Sequence, residues 1–178
     1  MGAGGDDRIT LDEQSGLNSY GCAPEPVRAI SYSSSTASSI SAAAYAHAHT
    51  VHFRLRKAVA EGLSEAEAYA TFIEAARGRI RTAYGLTADT DIAFGASGTD
   101  LEYLSLALSL ASGKPVGNIA VEVDEVGSGC HFSQAGQYFA VNTALGHKVE
   151  KGAFLPGFGN GAVAVHTLKM RDETGPVL

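Results

Sequence analysis

The chain has 178 residues, 45% of them hydrophobic and 18% charged, with 19 acidic against 13 basic residues and a net charge of -6. That is enough chain to bury a core in one domain or slightly more, and the composition is that of a globular protein rather than a disordered one. No basic stripe offsets the acidic balance, which excludes general nucleic-acid binding, and no apolar run approaches the roughly 18 residues of a membrane span.

The amino-terminal MGAGGDDRITLDE is polar and acidic, so no signal peptide is expected. Cys22 and Cys130 lack metal spacing and fit a reducing, cytoplasmic setting. Residues 1–38 are rich in Gly, Ser and Asp and carry Pro24 and Pro26, which predicts an extended arm. Residues 39–85 are read as a helical segment. Its first part, to Glu61, is rich in alanine, free of Gly and Pro, and closed by Gly62.

Ser64 and Glu67 fit a capping box, and Ala68, Phe72, Ala75, Ala76 and Ile80 give the apolar face of a second helix that Gly85 stops. Arg77, Arg79 and Arg81 sit late in that helix, where they complement its dipole as a solvated end. In HAHTVH, His49 and His52 share a helical face but no carboxylate stands at a matching step, so no metal site is expected.

From 86 to 178 the pattern is that of an α/β segment. DIAFGASG (91–98) reads as a strand entering a glycine turn, and 99–112 as a helix apolar almost all round and therefore buried on most sides. NIAVEV (118–123) reads as a strand, 131–144 as a helix and 161–170 as a strand carrying a core histidine, His166. This order predicts parallel strand–helix–strand units.

The feature with most chemistry is FGASGTDLEYL (94–104). A strand end, Gly95 and Gly98 in a tight turn, and Ser97, Thr99 and Asp100 at a helix start make a place where backbone N–H groups and hydroxyls face an anion. An ordinary turn with a Ser or Thr cap uses the same residues. No GxxxxGK[ST] is present, and Gly157, Gly159 and Ala162 precede a strand rather than a helix, so no dinucleotide fingerprint is read there.

SGTD, an apolar helix, NIAVEV and then DEVGSG resemble the first half of the large domain of fold-type I pyridoxal 5'-phosphate (PLP) enzymes, closest to the aminotransferase class V and cysteine-desulfurase group. The resemblance implies an α/β fold: part of a mostly parallel sheet with flanking helices, preceded by an extended arm and helices. It places Ser97, Gly98 and Thr99 at the cofactor phosphate and Val126, with Glu125 before it, over the pyridine ring. Val126 departs from the family, which usually carries His or an aromatic there. His131 is the nearby residue that could reach the site instead. LNSYGCAPEP and SSSTASS resemble the substrate-lining arm, which puts Ser34, Ser35 and Thr36 at the substrate edge.

Such an enzyme also needs a Schiff-base lysine and an acid on the pyridine nitrogen. Lys57, Lys114, Lys148, Lys151 and Lys169 stand in no recognisable lysine motif, and Asp172 lies in a turn-like RDETG. The resemblance therefore implies a split enzyme, a heterodimer or heterotetramer, in which a second polypeptide supplies the lysine and the aspartate. Its substrate would be small and amino-acid-like, and its chemistry transamination or lyase cleavage. The other reading is a non-catalytic binding or scaffold module that keeps the α/β fold and a small-anion pocket.

Overall fold

The computed structural model describes residues 6–28, 30, 32, 37–159, 161–172 and 175, and these fall into two units. One is Leu11–Ala93; the other is Phe94–Leu178 together with the stretch 6–10.

In the first unit the stretch after Leu11 is folded into local turns rather than extended. Asp12 accepts from the N–H groups of Gln14 and Ser15, and Asn18 from those of Tyr20 and Cys22. Short polar side chains compete here for the backbone donors that an extended segment leaves open. Helix α1 (Ala42–Ala60) starts at Ser41, whose Oγ accepts from the Ala44 N–H at 3.2 Å. Helix α2 (Glu65–Tyr84) has the expected reciprocal box between Ser64 and Glu67 and ends on Gly85 at φ 62°. The two helices pack as a hairpin with Ala68 buried between them.

The arginine triplet is not simply a solvated end. Arg77 donates to the Ile92 carbonyl at 2.8 Å and Arg81 to that of Thr90, folding the following loop back along α2. Those carbonyls are thereby taken by side chains, and residues 91–98 form no strand: nothing among the described residues pairs with them.

In the second unit, helix α3 (Gly98–Leu110) is followed by strand β1 (Val116–Val121), a 3-10 turn (Val123–Glu125) and the short helix α4 (Cys130–Ser133). After an irregular excursion comes strand β2 (Val163–Leu168). β1 and β2 pair in parallel, from Val116 opposite Val163 to Val121 opposite Leu168, so the parallel pair predicted by sequence order is present. The long connection between them is what a parallel pairing requires.

Three expectations fail here. The helix predicted over 131–144 stops at Ser133 because Gly136 stands at φ 75° with its Cα against Phe158; a Cβ would lie 2.6 Å from that side chain. The chain then pairs with itself, Tyr138 donating to the Ala153 carbonyl and Gly152 to that of Tyr138. Helix α3 is not buried on most sides either. Leu106 is its one buried residue, while Leu108 is 68% exposed: the contacts of α3 with β1, α4 and the segment around Phe139 leave the Leu108 side open. His166 is exposed rather than a core residue, on the sheet face that also carries Ile119.

No helix among the described residues is long and apolar enough to cross a membrane.

Candidate functional site

The turn before α3 is built by packing as much as by glycine freedom. Gly95 has no room for a side chain: a Cβ there would meet Leu101 Cγ at 2.6 Å, whereas one at Gly98 would meet nothing. Leu101 thus presses the chain into the helix start. Ser97, extended at φ -148°, is the cap. Its Oγ accepts from the Asp100 N–H at 3.2 Å and donates to Asp100 Oδ2 at 2.6 Å.

A third bond comes from a residue that the sequence does not single out. Arg8 donates through Nη2 to Ser97 Oγ at 3.2 Å and through Nη1 to Thr99 Oγ1 at 3.3 Å. Its guanidinium also lies over the Phe139 ring, 4.4 Å from the centroid. Asp6 holds the other edge of the fork, accepting from Nε and Nη2 at 2.8 Å each and from the Arg8 backbone N–H at 2.9 Å. These bonds hold the largely buried Asp6 carboxyl below its ordinary range, the Arg8 side chain being the main cause. The guanidinium is therefore a clamp between a hydroxyl pair and a carboxylate, with an aromatic face beneath.

The DEVGSG loop reaches the same place through its end. A Cβ on Gly129 would meet Thr99 at 3.1 Å and Phe139 at 3.2 Å, so the loop lies close against both residues. Next to it, Cys130 is no activated thiol: burial pushes it up, and the Glu102 carboxylate adds to the effect. Ser133, 0% exposed, donates to Glu102 and ties α4 to α3. Tyr103 donates to the Gln137 carbonyl at 2.7 Å, and burial raises its hydroxyl pKa.

The sequence-predicted site residues divide accordingly. Ser97, Gly98 and Thr99 come together with Arg8 at one helix start. Glu125 is ion-paired with Arg171 near the far end of the chain, and Val126 follows the 3-10 turn, half-buried. His131 is exposed, its ring tilted against that of Phe132 with centroids 4.0 Å apart. Ser34, Ser35 and Thr36 lie outside the described residues. Among the described residues no group of three or more His, Cys, Asp or Glu is placed to hold a metal ion.

Arg8, Asp6 and Phe139 carry no local signal in the sequence. They meet the turn across separations that neither motif nor periodicity spans; the pattern TDLEYL shows only that a helix begins there. Comparison of the chain with models of known families, with curated proteins and with solved structures finds no match.

Proposed function

We propose that the α3 start is a phosphate-binding element and that the chain is one subunit of a larger α/β enzyme, with PLP as the cofactor that the sequence resemblance suggests. The observation that carries this is the Arg8 guanidinium on both the Ser97 and Thr99 hydroxyls, at the positive end of a helix. The Asp6 carboxylate is itself an anion seated on that guanidinium, so the place accommodates the charge and geometry of an acid group.

The phosphate end of the cofactor fits these residues. Arg8, the Thr99 hydroxyl and the N–H groups of Gly98 and Thr99, which the helix ladder leaves unused, would hold it. Ser97 uses its one hydrogen and both lone pairs already, so it would join only by releasing Asp100. The phosphate would replace Asp6 at the guanidinium.

On the resemblance Val126, with Glu125 before it, would cover the ring end, and chemistry at the ring would fall to the partner that brings the lysine and the aspartate. PLP, when bound, withdraws electrons from the carbon bearing the substrate amine. This chain's part is to anchor and orient. The substrate class, amino-acid-like, and the choice between transamination and lyase cleavage rest on the resemblance.

A second reading is favoured by the Asp6–Arg8 and Ser97–Asp100 pairs, which satisfy the turn internally: a binding or scaffold module with an ordinary helix cap. PLP, pyridoxal and inorganic phosphate titrated into wild type, Asp6→Asn and Thr99→Ala separate the two. Wild type should take up PLP and inorganic phosphate but not pyridoxal. Asp6→Asn should tighten both, and Thr99→Ala should weaken them by about 10- to 150-fold, a hydrogen bond to a charged group. Failure of wild type and Asp6→Asn alike to bind any of the three at millimolar concentration makes the turn a cap and leaves the module. Borohydride reduction of the protein from its own host, followed by mass analysis, then shows whether a second chain carries the cofactor on a lysine.

A further inference from the structure

We propose that a second site, a cavity of about 340 Å³ beside α3, takes a small organic ammonium ion with an apolar body. The inference does not depend on PLP. Tyr103, Tyr138, Phe139 and Leu155 wall the cavity, and Asp100 and His147 are its charged and titratable linings. Its size lies at the small end of the roughly 300–1,000 Å³ of ligand pockets, and its composition is theirs: apolar walls with few polar groups.

Asp100 sets the sign of the ligand. Its Oδ2 accepts from Ser97, and among the described residues no guanidinium or ammonium pairs with its carboxylate. The nearby Arg8 is matched by Asp6, so the pair brings no net positive charge to offset Asp100. A carboxylate beside the rings of Tyr103 and Tyr138 suits a cation, which gains from the charge and from the ring faces together; Phe139, over which Arg8 already lies, serves as wall only. An anion of the same shape meets repulsion from Asp100, and a neutral apolar molecule leaves the carboxylate unused.

The probe is phenethylamine, with phenylacetate as its anionic counterpart of similar shape, at about pH 8 where an ordinary imidazole is neutral. Binding is read by ligand-observed NMR and by tyrosine fluorescence, which no tryptophan obscures in this chain. Phenethylamine should bind at least about tenfold tighter than phenylacetate, roughly the effect of one charge pair near a protein surface. Asp100→Asn keeps an acceptor for Ser97 and should abolish that preference. Ala144→Phe, at the cavity lining, should block both ligands without touching the helix cap.

Equal binding of the two probes, or no binding of either at millimolar concentration, overturns the proposal. So does a preference that survives Asp100→Asn, or binding that survives Ala144→Phe. Should Asp100→Asn fail to fold, the wild-type comparison and Ala144→Phe decide alone. Phosphate binding at Arg8 is a separate readout, so loss of either site leaves the other measurable.

Discussion

Arg8 gains its place from three partners of different kind: a carboxylate, a pair of hydroxyls and an aromatic ring. Because the folded state holds the Asp6 pKa below its ordinary value of 3.8, the pair contributes its stability in full above that pH. The contribution is lost as pH falls through the lowered folded value, since protonation then costs the native state more than the unfolded one. As pH falls from neutral through 3.8 and below, wild type should therefore lose stability more steeply than Asp6→Asn, as followed by denaturant midpoints down into the acid range. The hydroxyl half of this site was legible in the sequence, because Ser97 and Thr99 stand where a helix begins. The guanidinium half was not, since a lone arginine in a polar amino-terminal stretch differs in no local respect from a solvated one.

Helices α1, α2 and α3 follow from signals carried within a few residues: an alanine-rich stretch free of Gly and Pro, the Ser64–Glu67 box with the stop at Gly85, and Ser97, Thr99 and Asp100 at a helix start. Such signals act locally, so one sequence suffices to read them. The segment 131–144 has an apolar content that suits a helix, yet Gly136 lies under Phe158, a contact made from a distance along the chain. That steric fact decides the element and is invisible to periodicity. Gly136→Ala should cost at least about 2 kcal/mol, combining a left-handed backbone with a side chain forced into Phe158. Equilibrium unfolding in urea checks it: a midpoint equal to wild type would mean that Phe158 moves aside freely. Strand β1 was legible as an apolar run, shifted by two residues, while the segment before α3 lacked the one thing a strand needs, a neighbour.

In the second unit the sheet has two strands only, paired in parallel, with an unpaired edge on each strand among the described residues. Parallel sheets are ordinarily covered on both faces, yet Ile119 is 69% exposed and Leu168, on the same face, is open as well. An apolar layer of this kind is a surface for association. The chain purified alone should accordingly self-associate and enhance the fluorescence of an apolar dye. Replacing Ile119 and Leu168 with Lys and Glu should reduce both effects, as measured by light scattering; a monodisperse monomer that ignores the dye would mean that this sheet face is no surface for association. The same unit has a consequence for synthesis on the ribosome. Arg8 and Ser97 are 89 residues apart, so at about 5–20 residues per second Arg8 waits about 4–18 s before its hydroxyl partner is made. Asp6, two residues away, is translated first and can hold the guanidinium throughout, so the nascent chain already carries half of the clamp before the helix that completes it exists.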